Sequence, residues 1–281
     1  MTPRAAPCLL AVGAPDYDAG EGRSTDRGHG PRGEAVAEET TPRPAHGWTL
    51  PPLPGAADEA AHAAELWAEA GPEYTSLLLT GSEATEPAVL ALAPGVRVLH
   101  LATHGFALGS RSVVTGDPSR GVGGLAPAAV VAAGGVPPPE APRVSGLALA
   151  GANRGGLDSS DDGILTAEEI AASDLSGVEW AVLSACESGV GEASSGEGVF
   201  GLRRAFLAAG ARTVITSLWA VEDEPTREWM TALYRARLVD GASTAEAVRR
   251  ASREVLEARR RRGESVHPST WAAFVATGDW R

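Results

Sequence analysis

The fold is decided by the stretch Val98-Leu-His-Leu-Ala-Thr-His-Gly105, a mainly apolar run that ends in a threonine, a histidine and a glycine. Short runs that are apolar on both faces are typical of parallel strands covered by helices on each side. A second run, Trp180-Ala-Val-Leu183, leads in the same way into Ser184-Ala-Cys-Glu-Ser-Gly189. Functional residues of parallel α/β sheets gather at the carboxyl ends of the strands. The two polar segments are therefore the candidate site.

Apolar runs and helical patterns alternate along the rest of the chain. The predicted strands cover residues 8–13, 76–79, 96–103, 147–150, 180–185, 213–219 and 272–276. The predicted helices cover residues 57–70, 83–92, 166–171, 198–209, 225–238 and 244–260. Because this alternation requires crossover connections, it predicts an α/β fold with a mostly parallel sheet.

A chain of 281 residues, 43% of them hydrophobic, can bury the core of one domain of ordinary size. Residues 1–17 are expected to hold the first strand, and residues 48–281 the remainder of the domain. Residues 18–47 are rich in Gly, Arg, Glu, Thr and Pro and nearly lack large apolar side chains, which predicts a disordered insertion. Residues 109–142 mix Gly, Pro, Ala and Val and predict a long surface loop.

The formal net charge of -12 argues against a protein whose affinity comes from neutralising phosphates, so nucleic acid is not an expected partner. No apolar stretch approaches the ~20 residues that span a bilayer, so no membrane association is expected. The two cysteines, Cys8 and Cys186, define no disulfide framework. A reducing cytoplasm is the expected location.

Cys186 and His104 form the candidate catalytic dyad. A thiol attacks a carbonyl well only as the thiolate, and a nearby imidazole supplies the base and later the proton for the leaving amine. A doubly wound sheet can place their strands side by side, although 82 residues separate them. The backbone N–H groups of Gly105 and Cys186 could then bind the oxyanion of a tetrahedral intermediate. Taken singly, each side chain is more often a packed core residue.

Together with the dyad segments, four other segments resemble the CHAT family of caspase-like cysteine peptidases, whose domains are often found with TPR repeats. The matching text lies in residues 98–106, 162–170 (Asp-Gly-Ile-Leu-Thr-Ala-Glu-Glu-Ile), 183–189 (Leu-Ser-Ala-Cys-Glu-Ser-Gly), 198–211, 217–223 and 268–274 (Pro-Ser-Thr-Trp-Ala-Ala-Phe). The resemblance implies a caspase–haemoglobinase fold, with a mostly parallel central sheet flanked by helices on both faces. It also implies a cysteine endopeptidase that cleaves specific protein or peptide substrates through His104 and Cys186, without a cofactor.

Leu218-Trp-Ala-Val-Glu-Asp223 is similar to a segment of the separases whose acidic residue is associated with a pocket for a basic P1 side chain. This resemblance makes Asp223 the candidate floor of an S1 pocket, because a buried carboxylate selects Arg or Lys. Trp219 is a candidate wall of that pocket, and Glu187 is a further substrate-binding candidate. Two alternatives stay open: Asp223 could cap the next helix, in which Pro225 stands early, and Trp219 could be a packing residue.

Asp158-Ser-Ser-Asp-Asp-Gly-Ile-Leu-Thr-Ala-Glu-Glu169 has the residue spacing of an EF-hand calcium loop. The calcium-ligand candidates in it are Asp158, Asp162 and Glu169. No helix is predicted to enter this segment, and a capping box between Thr166 and Glu169 is the favoured explanation. No metal is therefore assigned.

Two other classes of function compete with the protease. The first is a catalytically silent or partner-activated CHAT interaction module in a bacterial signalling or defence system; the chain shows no recognisable TPR array or sensor that would supply a trigger. The second is a hydrolase with a serine nucleophile, but no G-x-S-x-G elbow occurs. The presence of both dyad residues favours the protease.

Overall fold

The computed structural model describes residues 8–20, 49–108, 144–154, 161–184, 201–219 and 223–281. The predicted surface loop at 109–142 lies outside these ranges, and so does the predicted disordered insertion at 18–47 apart from residues 18–20. Cys186, Glu187 and Asp158 also lie outside the described residues. The predicted division of the chain into a first strand, an insertion and a remainder therefore stays a prediction.

Nine strands occur in the described residues. They are β1 (Cys8–Pro15), β2 (Thr75–Gly81), β3 (Val98–Ala102), β4 (Gly105–Leu108), β5 (Val144–Ala148), β6 (Ile164–Thr166), β7 (Trp180–Leu183), β8 (Thr213–Ser217) and β9 (Phe274–Gly278). Six of them form a central sheet in the order β2-β1-β3-β7-β8-β9. The pairs from β2 through β8 are parallel, and β9 is antiparallel to β8. The predicted mostly parallel sheet is confirmed.

The same part of the chain contains six α-helices. They are α1 (Pro54–Glu69), α2 (Glu86–Leu92), α3 (Ala167–Ala172), α4 (Gly201–Ala208), α5 (Asp223–Leu238) and α6 (Thr244–Arg262), with short 3-10 turns at Ala93–Gly95 and Pro268–Thr270. Local sequence explains several starts, since Thr85 caps α2 and Ser243 caps α6 through their hydroxyl oxygens. None of these helices combines the length and apolarity needed to cross a membrane.

Successive residues of each central strand pack on opposite faces of the sheet. Leu9, on one face, belongs to a core cluster shared with α1, α5 and α6, in which Trp67, Trp180 and Trp229 are the largest members. Leu10, on the other face, belongs to a second cluster shared with α2, α3 and α4, which includes Phe206. Helices therefore cover both faces, which explains why these strands are apolar on both sides.

A second, three-stranded antiparallel sheet has the order β4-β5-β6. The sequence predicted neither β4 nor β6. The strand predicted at residues 147–150 was placed wrongly: β5 spans Val144–Ala148 and pairs antiparallel with β4 and β6, outside the central sheet. This small sheet begins at Gly105, three residues after β3 ends, and so it continues directly from the candidate site.

Gly13 allows α1 to approach β1 closely. A Cβ at this position would stand 2.3 Å from the carbonyl oxygen of Ala56 and 2.6 Å from the Cβ of Ala60, both on α1. Because one of these contacts is with backbone, no side-chain rotation could relieve it. The glycine thus sets the distance between α1 and the sheet.

Replacing Gly13 with Ala is expected to displace α1 and to lower the free energy of unfolding by about 1–3 kcal/mol, the usual cost of overpacking. Gly95→Ala is the matched control, because a Cβ there meets nothing within 4 Å. Urea unfolding followed by circular dichroism measures both variants. Equal stability of the two would contradict the close packing of α1 on β1.

Candidate active site

The backbone ladder between β3 and β7 sets the geometry of the candidate active site. Val98 pairs with Trp180 and Leu101 pairs with Leu183, so the partners differ by 82 in residue number along the whole ladder. The N–H of Ser184 donates to the carbonyl of Leu101 at 2.9 Å, which carries the pairing one residue beyond β7. His104 follows β3 by two residues. Cys186 follows Ser184 by two residues, outside the described ranges.

His104 is almost fully buried, with 3% of its surface exposed. Its Nε2 lies 2.9 Å from the carbonyl oxygen of Pro51. A carbonyl oxygen can only accept a hydrogen bond, so Nε2 carries the proton and donates it. In the neutral ring the basic lone pair is therefore on Nδ1, which makes Nδ1 the atom that can take a proton from a nucleophile.

Tyr17 forms one wall beside the histidine. Its ring lies 5.3 Å from the His104 ring, centroid to centroid, at an interplanar angle of 44°. The Tyr17 hydroxyl is 3.0 Å from Oγ1 of Thr103, which in turn donates its own proton to the carbonyl of Ala148. Since Thr103 has only one hydroxyl proton, the Tyr17 hydroxyl is the donor between these two groups. This chain of bonds ties the end of β1 to the end of β3.

Gly105 is the first residue of β4 and lies opposite Leu147 of β5. The N–H of Ala148 donates to the carbonyl of His104 at 2.8 Å, which makes Gly105 and Leu147 a non-hydrogen-bonded pair of the antiparallel ladder. In such a pair the N–H and C=O of each residue point away from the other strand. The ladder therefore directs the N–H of Gly105 away from β5.

Two of the candidate substrate-binding residues, Trp219 and Asp223, follow β8, the strand next to β7. Trp219 is partly buried, and its indole N–H donates to the carbonyl of Ser269 at 2.9 Å. Asp223 is the first residue of α5, which begins two residues earlier than predicted; its side chain is not described. Because β3, β7 and β8 are parallel, Trp219, two residues after β8, lies at the same sheet edge as His104.

Two of the three calcium candidates bind protein groups. Oδ1 of Asp162 accepts the N–H of Ile164 at 2.8 Å. Oε2 of Glu169 accepts both the N–H (2.8 Å) and the hydroxyl (2.6 Å) of Thr166, whose Oγ1 accepts the N–H of Glu169. The predicted capping box is confirmed. Across the described ranges, no three His, Cys, Asp or Glu side chains are grouped so that they could hold a metal ion.

Glu86, at the start of α2, is a buried carboxyl that no sequence pattern indicated; 1% of its surface is exposed. Burial raises its pKa to about 8, and the negative charges of Glu169, Asp162 and Asp161 add to the rise. Burial also raises the pKa of Asp162. Glu86 is therefore protonated near neutral pH and can donate a hydrogen bond to the Glu169 carboxylate.

His100, the other histidine of β3, belongs to the core and not to the site. Its Nδ1 is 3.0 Å from the hydroxyl of Tyr234 on α5, and its Nε2 is 3.3 Å from Oε1 of Glu59 on α1. Desolvation, followed by the charge of Glu59, raises the pKa of Tyr234. These buried polar groups join α1 and α5 to the middle of β3, below the site.

Comparisons with known proteins identify the family of this chain. The sequence model of the CHAT domain matches residues 2–279. This chain belongs to the CHAT domain family. It is 30% identical over 235 residues to tetratricopeptide repeat protein 28 of Homo sapiens and 29% identical to that of Mus musculus. Each alignment covers 82% of this chain but only 9% of the longer protein.

Among solved structures, the crystal structure of the Arg specific cysteine proteinase gingipain R resembles this chain with a TM-score of 0.50 at 11% identity. The superposition covers 99% of this chain and 47% of the proteinase chain. The likeness confirms the predicted fold class, a mostly parallel central sheet flanked by helices on both faces. It concerns the fold alone.

Sequence reasoning missed the residues that surround His104. Pro51 acts through its backbone carbonyl and Tyr17 through its ring, and neither belongs to a catalytic motif. The available signals were the Leu50-Pro51-Pro52 stretch, which is rigid and stands just before a helix, and an aromatic residue two positions after the end of the first strand. Neither signal alone indicates a partner for a histidine.

Glu86→Gln should change how stability depends on pH. A carboxyl whose pKa is raised by folding binds its proton more tightly in the folded state, so the wild type is most stable below pH 4.5 with respect to this group. That contribution falls as pH rises toward about 8 and is constant above it. Glutamine has no proton to lose, so the Tm of the variant should rise relative to that of wild type as the pH increases from 5 to 8.5, by about 2–4 °C for each ~1 kcal/mol that the wild type loses.

Differential scanning fluorimetry across this pH range measures the effect. Glu168→Gln is the control, because Glu168 is an exposed carboxylate on α3 near the same cluster. The control should follow the wild-type profile. Parallel profiles for Glu86→Gln and wild type would show that Glu86 does not titrate as proposed.

Proposed function

We propose that this chain is a cysteine endopeptidase in which Cys186 is the nucleophile and His104 is the general base. One observation carries the proposal: the parallel ladder pairs β3 with β7 at a constant difference of 82 residue numbers. Cys186 and His104 differ by the same 82. The proposal takes this register to continue beyond the ends of the two strands, which would bring Cys186 beside His104.

The protonation state of His104 supports the assignment of roles. Because Nε2 donates to Pro51, the base is Nδ1, and the carbonyl of Pro51 also stabilises the imidazolium that forms when Nδ1 takes a proton. Proton transfer from the Cys186 thiol to Nδ1 generates the thiolate. The thiolate then attacks the carbonyl carbon of the scissile peptide bond.

The tetrahedral intermediate needs donors for its oxyanion. We assign this role to the N–H of Gly105, which points away from β5, and to the N–H of Cys186. Collapse breaks the C–N bond as the imidazolium gives its proton to the leaving amine. His104 then takes a proton from water, which attacks the thioester and releases the acid product and the thiol. No cofactor takes part in these steps.

The substrate is proposed to be a protein or peptide with a basic P1 residue. Trp219 and Asp223 both follow β8 in the chain, and β8 is the neighbour of β7 in the central sheet. A carboxylate at Asp223 would pair with Arg or Lys at P1 and would leave a neutral side chain without compensation for its charge. Glu187, next to the nucleophile, is a further candidate contact on the substrate.

Covalent labelling tests the nucleophile. Peptidyl fluoromethyl ketones with Arg, Lys, Leu or Asp at P1 are incubated with wild type, Cys186→Ala and Cys8→Ala, and adducts are counted by intact-protein mass spectrometry. One adduct is expected on wild type and on Cys8→Ala, since Cys8 lies in β1, away from the site. None is expected on Cys186→Ala. His104→Ala should slow labelling by roughly 10²–10⁴-fold, the usual contribution of a general base.

Labelling that persists in Cys186→Ala would overturn the assignment of the nucleophile. Absence of labelling with every P1 type, even after calcium is added, would favour a different function. That function is a CHAT module that binds a regulatory protein and hydrolyses nothing until it is bound. Only 3% of the surface of His104 is exposed, which favours this second candidate. The imidazole must be uncovered before a substrate can reach it.

The choice of P1 residue tests Asp223. In wild type, Arg and Lys probes should label faster than the Leu probe, and Asp223→Ala should remove most of this preference because the pocket loses its charge. Glu224→Ala is the matched control, since Glu224 is an exposed carboxylate one residue away. The two variants carry the same net charge. A basic preference that survives in Asp223→Ala would place the selecting carboxylate elsewhere.

A further inference from the structure

Asn153 is a buried side chain at which three separate segments of the chain meet. It is 3% exposed. Its Oδ1 accepts the N–H of Leu50 at 2.7 Å, and its Nδ2 donates to the carbonyl of Leu50 at 3.1 Å. Nδ2 also donates to Oδ1 of Asp18 at 2.9 Å, and the backbone N–H of Asn153 donates to the carbonyl of Tyr17 at 2.8 Å. All of these contacts are with residues far away in sequence.

The two hydrogen bonds between Asn153 and Leu50, called the clamp on Leu50, determine the direction of the Pro51 carbonyl. The carbonyl of Leu50 belongs to the planar peptide bond that joins it to Pro51, so fixing this oxygen fixes the plane that carries the proline nitrogen. The proline ring then holds φ of Pro51 near −65°. Because Pro52 follows, ψ of Pro51 is restricted to extended values. Little freedom is left to the Pro51 carbonyl, which accepts the proton of His104 Nε2.

Tyr17, on another side of His104, depends on the same residue. Its carbonyl accepts the N–H of Asn153, and its ring lies 5.3 Å from the His104 ring. Two groups that contact the imidazole, a hydrogen-bond acceptor and an aromatic ring, are therefore both anchored to Asn153.

We propose that Asn153 is a positioning residue for His104, which it orients through the Leu50–Pro51 peptide. It touches neither the substrate nor the reacting atoms. Its role is to keep the proton on Nε2 and the lone pair on Nδ1 by presenting the Pro51 carbonyl at a fixed place. The catalytic meaning of this role rests on the proposed function, whereas the effect on the imidazole does not.

The test uses histidine labelled with 15N, whose nitrogen shifts and couplings distinguish the two neutral tautomers. In the wild type, the Nε2–H tautomer of His104 should dominate and its proton should give a resolved signal that exchanges slowly with water. In Asn153→Ala, which lacks both contacts to Leu50, the signal should be lost and the tautomers should mix. Asn153→Asp keeps an acceptor for the Leu50 N–H but lacks the amide donor. Its Nε2–H signal should therefore weaken, and its tautomers should mix, less than in Asn153→Ala.

Two controls separate positioning from general loss of stability. Tyr234→Phe removes a buried hydrogen bond to His100 in the same strand and should leave the His104 signals unchanged. Asp18→Ala removes one contact of Asn153 but leaves its clamp on Leu50, so it should also retain the Nε2–H signal. If the protease is active, fluoromethyl ketone labelling of Asn153→Ala should be slower by about 10- to 100-fold, the cost of misplacing a catalytic group by ~1 Å.

Wild-type tautomers and exchange rates in folded Asn153→Ala or Asn153→Asp would overturn the proposal. So would a wild type in which Nε2 of His104 carries no slowly exchanging proton, a result that needs no variant to fold. Failure of the proposed function looks different: the His104 signals respond to Asn153 as expected, but the wild type takes up no label.

Discussion

The hydrogen-bonded ladder between β3 and β7 is the constraint on which the candidate site depends. It holds two strands in one register, in which paired residues of β3 and β7 differ by 82 in number. A slip by one residue would turn every buried side chain of β3 toward the opposite face of the sheet. His100 would then stand in the apolar surroundings of Leu101. The two apolar clusters on either side of the sheet make such a slip costly. Apolar packing on the two faces of the sheet thereby fixes the register of β3 and β7, on which the geometry of the site depends.

The buried polar groups below the site reinforce this arrangement. His100 contacts Glu59 of α1 and Tyr234 of α5, and these contacts can form only when both helices stand at one position along β3. Buried polar groups lose their hydrogen bonds to water, and only correctly placed protein partners compensate for that loss. Apolar packing would tolerate small displacements of α1, whereas this cluster tolerates fewer. The position of α1 matters because Pro51 stands three residues before its first turn.

Much of the central sheet could be predicted from the sequence, because its strands are short, apolar and separated by helical patterns. β4 and β6 could not be predicted. β4 starts three residues after β3 ends, so an apolar pattern cannot separate it from a continuing strand, and β6 has only three residues. The membership of β5 in a second sheet depends on pairing with distant segments, which local composition does not encode. The capping box at Thr166 was predictable because both of its partners lie within four residues.

The same distinction explains which parts of the candidate site were visible. His104 and Gly105 could be named because their chemistry resides in the residue type and in its place after a strand. Pro51 contributes a backbone carbonyl, a group that every residue carries, so no residue pattern singles it out. Asn153 acts on a segment 103 positions away in sequence. Long-range pairs of this kind emerge only from the folded chain.

The two anchors of Asn153 have a consequence for engineering. Asp18 and Leu50 stand at either side of the stretch that spans residues 21–48, and both are bound to one side chain. For a flexible connection between two fixed points, the entropy of closure grows only logarithmically with length. A fluorescent domain or an affinity tag grafted between the anchors would therefore lengthen the chain at small energetic cost while the groups around the imidazole keep their places.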